Sequence, residues 1–157
     1  MHMKSLFATC LALVVLGSAC WLEPKGARPG FGISGELSTE TVSDWSFTDE
    51  IEEIVIETRT WYRLPHSVTI WCASIDGELY VGAGFPDYPK ERHWVTAVKR
   101  DPNVRLRIAG RLYERRLERI DDPDETDLVD RAFGEKYHYD VDEEPEIVAY
   151  WHVVDRS

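Results

Sequence analysis

The alternation of apolar and polar residues in the middle of the chain predicts an antiparallel β-hairpin. In the run His66–Ser74, β-branched and other apolar residues alternate with polar or aromatic ones, which is the two-residue period of a strand in a sheet. The dipeptide Asp76-Gly77 separates this run from a second one, Leu79–Ala83. Because a two-residue Asp-Gly loop suits the positive φ angles of a tight hairpin turn, the second run is expected to fold back on the first.

A short helix and a further strand are predicted to follow the hairpin. After the glycine- and proline-rich loop Gly82–Pro89, four apolar residues stand at the spacing of one buried helix face: Trp94, Val95, Ala97 and Val98. Asp101-Pro102 should end this helix, because proline cannot continue the hydrogen-bond ladder and the residue before it avoids the α region. The alternation resumes over Val104–Ile108, which predicts another strand.

Two more strands and a second helix are predicted on the flanks of this unit. Glu53–Thr58 reads as the first long strand, with its glutamates on the solvent face, and Ala109-Gly110 separates two later strands. Asp122 followed by Pro123 is a typical helix start. The apolar face of that helix is expected to consist of Leu128, Val129, Ala132 and Phe133.

The last segment, Glu146–Arg156, carries apolar residues on both faces of a predicted strand. Such a strand is buried on both sides, as in a barrel or at a dimer seam.

These features together resemble the flavin-binding split β-barrel of the pyridoxamine phosphate oxidase-like superfamily, which includes deazaflavin-dependent nitroreductases. The resemblance rests on the first hairpin strand, the Asp-Gly turn, ELYVGA, the loop with Lys90 and Arg92, and the run W-x-x-A-V-x-x-D-P-N-V-R-L-R-I-x-G-R-L-Y. It covers residues 44–156. It implies a mainly β (α+β) fold, namely a split β-barrel of about six antiparallel strands with two short helices, which commonly forms a homodimer with the cofactor between the subunits.

The resemblance also implies where a cofactor would bind. The family's basic pair after the second hairpin strand matches Lys90 and Arg92, at a predicted helix start where free N–H groups also favour an anion. Small residues at the end of that strand permit close approach of a flat ring. His66 and Trp71 stand where the oxidase branch carries an arginine and a lysine, and Trp71 is expected to stack on the ring. The candidate cofactor-binding residues are therefore Lys90, Arg92, His66, Trp71, Gly82, Ala83 and Gly84.

Two other clusters allow alternative interpretations. The run Arg59–Arg63 holds two arginines and two aromatic residues, so it is either a phosphate and ring site or a turn whose aromatic side chains cap the barrel. The arginine-rich run Arg105–Arg119 is either an exposed barrel face whose arginines pair with acids, which is the favoured interpretation, or a rim that attracts an anionic cofactor tail.

Charge and cysteine content narrow the possible functions. The chain has 29 acidic residues against 18 lysines and arginines, a formal net charge of −11, which disfavours binding to nucleic acid. Cys72 falls in a predicted strand, where a free cysteine behaves as a small buried apolar residue. No metal site is predicted, because His138 has no second ligand at a metal-site spacing.

The first 19 residues read as a targeting segment of the lipoprotein type. Lys4 precedes an apolar run, and small residues stand immediately before Cys20. We expect Cys20 to be lipidated, so that the protein is anchored in the bacterial cell envelope by its lipid only; plain secretion is the alternative. Residues 20–43, rich in glycine and proline, are expected to be a flexible tether, followed by the barrel domain at 44–157.

Two functions are compatible with these features. The first is an envelope oxidoreductase that binds FMN or a deazaflavin and passes hydride to a small organic acceptor, with the chemistry supplied by the cofactor. The second is a non-catalytic lipoprotein module that lost the flavin-phosphate site or binds another planar ligand such as haem. No catalytic residue is nominated, since no Ser-His-Asp or Cys-His arrangement can be read from the spacing.

Overall fold

The computed structural model describes residues 23–84, 92–140 and 149–156. These residues form eight strands and two α-helices, with a single 3₁₀ turn at Ser46–Thr48. The strands are β1 (Glu36–Leu37), β2 (Ile54–Arg59), β3 (Pro65–Ile70), β4 (Cys72–Ile75), β5 (Glu78–Ala83), β6 (Asn103–Ile108), β7 (Arg111–Arg119) and β8 (Ala149–Asp155). The helices are α1 (His93–Arg100) and α2 (Pro123–Tyr137).

Seven of the strands form one antiparallel path in the order β3-β2-β6-β7-β8-β5-β4. Its two end strands, β3 and β4, are separated in the chain only by Trp71, so a single bent strand joins both ends of the path. This arrangement confirms the predicted split β-barrel with two helices, built from seven strands rather than about six. The short strand β1 adds to β7 in parallel.

Two tight turns set the register of the barrel hairpins. Asp76 and Gly77 have φ angles of 52° and 83°, and Ala109 and Gly110 have φ angles of 48° and 81°. Positive φ at both central residues is the geometry whose twist matches that of the flanking strands. The β4–β5 and β6–β7 hairpins therefore lie where the sequence predicts them.

Both predicted helices are present, and their buried faces close the two sides of the barrel. All four apolar residues predicted for α1 are buried. The Asp122 side chain accepts a hydrogen bond from the backbone N–H of Glu125 at 3.0 Å, as expected of a helix cap. In α2, Val129 and Phe133 are fully buried, but Leu128 is 53% exposed. The prediction that Leu128 faces the core is wrong, because α2 packs on β4 through the face that carries Val129 and Phe133.

Two charged residues of the strands are buried, although the sequence predicts that they lie on exposed faces. Glu57 is only 7% exposed, and its carboxylate accepts hydrogen bonds from Arg105 at 3.1 Å and from the backbone N–H of Ile33 at 2.8 Å. Arg115 is only 8% exposed and lies 5.3 Å from the ring centroid of Trp45. Elsewhere the favoured interpretation of the arginine-rich run holds, since its arginines pair with acids at partly exposed positions.

Part of the predicted tether packs against the barrel. Gly30 exchanges two backbone hydrogen bonds with Ser67, at 2.8 and 3.0 Å, and Ile33 is buried. The N–H of Ser38 donates to the carbonyl of Leu112 at 2.8 Å. The expectation of a segment without packed structure is therefore not met between residues 30 and 38, because backbone pairing with the barrel replaces a hydrophobic period.

The predicted targeting segment, including Cys20, lies outside the described residues and stays a prediction. Among the helices that the structure describes, none combines the length and the apolar character needed to cross a bilayer.

Candidate functional site

A cavity of about 270 Å³ lies where the bent strand, the end of β5 and the start of α1 meet. This first cavity is defined by Trp71, Gly82, Ala83, Gly84, Arg92 and Trp94. Residues 68–70 of β3 complete one side, and Gly26 and Ala27 of the N-terminal segment complete another. The cavity therefore combines an apolar lining with one cationic side chain among its described residues.

The end of β5 forms a wall of backbone rather than of side chains. Gly82 and Ala83 pair with Tyr150 and Ala149 of β8, which holds this stretch flat. Arg92 immediately precedes α1, and its Nε donates a hydrogen bond to the carbonyl of Gly84 at 3.0 Å. The contact holds the guanidinium beside the wall, where it lines the cavity.

Trp71 lines the cavity at the bend between β3 and β4. Its indole stacks on the ring of Tyr137 from α2, with centroids 4.3 Å apart and an interplanar angle of 7°. One face of the indole is thus already covered by the protein. The stack fixes the orientation of Trp71, and the ring of Tyr139 lies near the same indole at a centroid distance of 6.4 Å.

The bend removes Cys72 from regular strand pairing on one side, and α2 supplies the missing partners. The Tyr137 hydroxyl accepts the N–H of Cys72 at 3.0 Å. The Lys136 amine donates to the carbonyls of Cys72 and Thr48 at 2.7 and 2.8 Å. Lys136 and Tyr137 therefore form a clamp, here called the bend clamp, which holds the strand at the point where it turns.

Cys72 itself is fully buried. Burial raises the pKa of its thiol to about 11, although the nearby Lys136 amine acts in the opposite direction. The thiol is therefore protonated and enclosed at neutral pH, as the sequence interpretation expects of a structural cysteine.

Five of the seven candidate cofactor residues come together at the first cavity: Trp71, Gly82, Ala83, Gly84 and Arg92. Their role in binding stays a prediction. Lys90 lies outside the described residues. His66 does not reach the first cavity and lines a second one, because it stands at the start of β3, five residues before the bend.

Several residues at or beside the first cavity are not among the candidate cofactor residues. The helical spacing of Trp94 predicts a core position, and Trp94 does pack on Trp151 with ring centroids 5.0 Å apart, yet it also lines the cavity. Gly26 and Ala27 fall in the predicted tether, and Tyr137 stands 66 positions from the tryptophan that it covers. Only the tertiary structure brings such distant residues to one place.

The second cavity has a volume of about 430 Å³ and lies between α1, the start of β3 and the β2–β3 loop. Two histidines line it, His66 and His93, with ring centroids 6.1 Å apart. Burial and the neighbouring His93 lower the pKa of His66. Within the described ranges, no three His, Cys, Asp or Glu side chains are grouped so that they could hold a metal ion.

Comparison with known proteins identifies the fold. None of the curated proteins matches the chain. Among solved structures, the conserved hypothetical protein Rv2991 from Mycobacterium tuberculosis is 20% identical with a TM-score of 0.56, over 71% of this chain and 77% of that one. A putative pyridoxamine 5'-phosphate oxidase from Listeria innocua is 14% identical with a TM-score of 0.53, over 69% and 87% of the two chains.

A third similar structure is an F420-H2 dependent reductase, FDR-A, 13% identical with a TM-score of 0.52 over 78% of this chain and 99% of that one. The shared architecture is the pyridoxamine phosphate oxidase-like split β-barrel, as the sequence resemblance indicated. A family model described as an uncharacterized protein conserved in bacteria (DUF2255) matches residues 46–150, which span the barrel from the 3₁₀ turn to β8. The chain therefore belongs to the DUF2255 family of bacterial proteins.

Proposed function

We propose that the protein binds a flavin or deazaflavin in the first cavity and transfers hydride to a small organic acceptor. The observation that carries the proposal is the flat backbone wall of Gly82, Ala83 and Gly84 beside the cationic side chain of Arg92. A planar ring needs such a wall, and its anionic tail needs a cation at the rim. Proteins of the same fold include an F420-H2 dependent reductase, which supports the redox part of the proposal.

The size and lining of the cavity fit the ring part of such a cofactor. Small-molecule sites usually enclose roughly 300–1,000 Å³, and the first cavity, with about 270 Å³, is just below this range. A tricyclic ring fits this space, and its tail would extend past Arg92 towards solvent. Because Tyr137 already covers one face of Trp71, the backbone wall is the better surface for the ring.

A bound flavin or deazaflavin would supply the hydride chemistry. The chain's own residues would position the ring and exclude water from it. Ile70 and Trp94 are both buried and make the adjacent lining apolar. Arg92, held by its bond to the Gly84 carbonyl, would neutralise the anionic tail. In this proposal Lys90 adds a second cation, and the protein is a homodimer.

The test is a visible absorption spectrum of the purified protein after addition of FMN and desalting, repeated with a deazaflavin. We expect a retained flavin spectrum, and we expect the Arg92→Ala variant to bind about tenfold more weakly, because one charge-assisted contact is lost. Arg131→Ala is the matched control, since Arg131 is exposed on α2 and does not line the first cavity. Failure to retain either cofactor would refute the proposal.

A second candidate function is a non-catalytic module that binds a planar ligand such as haem. It is favoured by the position of His66 in the second cavity, which leaves Arg92 as the one cation among the described residues of the first. The two candidates differ in redox activity. The non-catalytic module would be supported if the protein retains haem but does not bind FMN or a deazaflavin. It would also be supported if the protein binds flavin without reducing a nitroaromatic acceptor.

Export and lipid anchoring form a further part of the proposal. The support is the order of charge, apolar run and small residues before Cys20. Incorporation of an alkyne-labelled palmitate in bacteria expressing the full chain should be lost in the Cys20→Ser variant. Equal labelling of both proteins, or of neither, would exclude Cys20 as the site of the anchor.

A further inference from the structure

We propose that the second cavity is a separate binding site for a small aromatic anion, that is, a molecule with a carboxylate or phosphate attached to an aromatic ring. The cavity is formed by His66 of β3, by His93, Thr96 and Arg100 of α1, and by the β2–β3 loop. It goes beyond the proposed cofactor site, because the two cavities have no lining residue in common.

The charge of the lining indicates an anion. The titratable or charged groups that face the cavity are His66 from β3, His93 and Arg100 from α1, and Tyr62 from the loop. None of the described lining residues is an aspartate or glutamate, although acids outnumber lysines and arginines by 29 to 18 in the chain. An acid-free group of bases in such an acidic protein creates a local positive potential.

Arg100 is held at this site by a hydrogen bond to the backbone and has further N–H donors. Its Nη2 donates to the backbone carbonyl of Arg59 at 2.6 Å, which attaches the end of α1 to the end of β2. A guanidinium has five N–H donors, so this bond leaves others for a carboxylate or phosphate. A planar guanidinium binds both of these groups through paired hydrogen bonds.

His66 carries a polar atom that the protein alone does not satisfy. Its Nδ1 is buried and makes no hydrogen bond within the described residues, and such buried polar atoms usually have a partner. The ring lies at an angle of 62° to that of His93. Burial and His93 keep the pKa of His66 low, so an anion placed between the rings would raise it by stabilising the protonated imidazole.

The β2–β3 loop supplies the aromatic part of the site. Trp61 is 78% exposed and Tyr62 is 54% exposed, and their rings meet edge to face at 5.1 Å. Hydrogen bonds between Thr60 and Leu64 hold the loop in shape. The Thr60 N–H and hydroxyl donate to the Leu64 carbonyl at 2.9 and 3.0 Å, and the Leu64 N–H donates to the Thr60 hydroxyl at 3.0 Å. Two rigid, exposed rings beside a basic cavity form a surface on which a ligand ring can stack.

The N-terminal segment separates this site from the first cavity. Gly26 and Ala27 line the first cavity, whereas Pro29 lines the second. Between the two cavities the segment is attached to β3 by the paired hydrogen bonds of Gly30 and Ser67. A ligand of the second cavity therefore contacts different groups from those that would hold a ring at the end of β5.

Calorimetric titration of the full-length protein with phenyl phosphate tests the proposal, with inorganic phosphate and phenol as probes of the anion and the ring alone. We expect binding by phenyl phosphate that weakens about tenfold in His66→Gln and in Arg100→Gln, because each loses one charge-assisted contact. Trp61→Ala should weaken phenyl phosphate but leave inorganic phosphate unchanged. Arg131→Gln is the control, and circular dichroism establishes that each variant is folded.

The pH dependence supplies a second readout. Binding should be tighter near pH 6 than near pH 8, since protonation of His66 favours the anion, and the imidazole NMR signals of His66 should shift to a higher pKa on saturation. Absence of phenyl phosphate binding at either pH would overturn the proposal, as would equal binding in all variants. If FMN competes with phenyl phosphate and the Arg100→Gln replacement weakens that competition, the cavity belongs to the cofactor tail. This result would also overturn the proposal of a separate site.

The outcome is distinguishable from that of the cofactor proposal. Arg92→Ala should reduce FMN binding without changing the affinity for phenyl phosphate, and Arg100→Gln should do the reverse. Loss of both affinities in either single variant would contradict the assignment of two independent sites.

Discussion

The amine of Lys136 satisfies two backbone carbonyls at the bend that joins both ends of the barrel. In the Lys136→Met variant the side chain keeps a similar length but loses its donors to Thr48 and Cys72, at 2.8 and 2.7 Å. The Thr48 carbonyl then keeps the N–H of Ile51 at 2.9 Å, and the Cys72 carbonyl depends on the Tyr137 hydroxyl, on water or on rearrangement. We expect the variant to fold, since the helix stripe of Val129 and Phe133 is unchanged, but with lower stability.

The expected loss follows from the kind of bond removed. A hydrogen bond to a charged group contributes about 1.5–3 kcal/mol, so two such bonds set an upper limit of about 6 kcal/mol. The Lys136 side chain is half-buried, so water offsets part of this loss. The Tyr137 hydroxyl also lies 2.9 Å from the Cys72 carbonyl and can donate to it in place of the Glu52 carbonyl at 2.7 Å. We therefore expect a loss of about 2–4 kcal/mol.

Urea unfolding followed by tryptophan fluorescence measures this loss. A change of about 2–4 kcal/mol lowers the unfolding midpoint by about 1–2 M for a protein of this size. The matched control is Lys25→Met, since Lys25 is exposed and surface replacements usually change stability by about 0.5 kcal/mol or less.

A double variant tests the compensation by Tyr137. If its hydroxyl replaces the lost amine at Cys72, Lys136→Met combined with Tyr137→Phe should cost more than the sum of the single changes. A midpoint for Lys136→Met equal to that of Lys25→Met would refute the bend clamp as a stabilising contact. Simple additivity would refute only the compensation.

Three further outcomes are expected from the same structure. Because burial raises the pKa of Cys72 to about 11, Ellman's reagent at pH 8 should label the Cys10→Ser, Cys20→Ser variant, which keeps Cys72 as its one cysteine, only after unfolding in urea; rapid labelling of this variant in its native state would contradict the buried position. Glu57→Ala leaves a guanidinium and a backbone N–H of the N-terminal segment without their carboxylate, so it should cost about 2–3 kcal/mol by urea unfolding, with Glu118→Ala as the exposed control. Hydrogen bonds from Ser34 and Arg107 hold the pKa of Glu23 below its ordinary value of 4.5; the resulting stabilisation is complete above that value and is lost as the pH falls through the lower, folded pKa. The hydrogen-exchange protection of residues 23–34, relative to the unstructured chain at the same pH, should therefore fall as the pH drops below 4.5. The same pH dependence of protection in Glu23→Gln would argue against the attachment.

The first cavity shows how far sequence reasoning could go. The resemblance groups Gly82–Gly84 with Arg92 as candidate cofactor residues, and the structure places them at the same cavity. Their meeting with Trp71 follows from the predicted β4–β5 hairpin. The contact of Trp71 with Tyr137 could not be predicted, since α2 returns to the barrel only through tertiary packing.

His66 illustrates the opposite case. A strand pattern assigns it to the same segment as Trp71, and the resemblance groups both with the cofactor residues. In the structure they line different cavities, because the four residues between them carry the strand along most of β3 before the bend. A pattern of period two gives the face of a strand but not the point at which the strand bends.

Sequence alone determined the features that depend on neighbouring residues: the two hairpin turns, the cap of α2 at Asp122, the end of α1 before Pro102 and the alternation of the strands. Tertiary structure decided which polar groups are buried and what they contact. Glu57 reaches a backbone N–H 24 residues away, and the N–H of Cys72 reaches a hydroxyl 65 residues away. The physical reason is that turns and caps are set by local backbone geometry, whereas a buried polar group takes whichever partner the closed barrel places within hydrogen-bond distance.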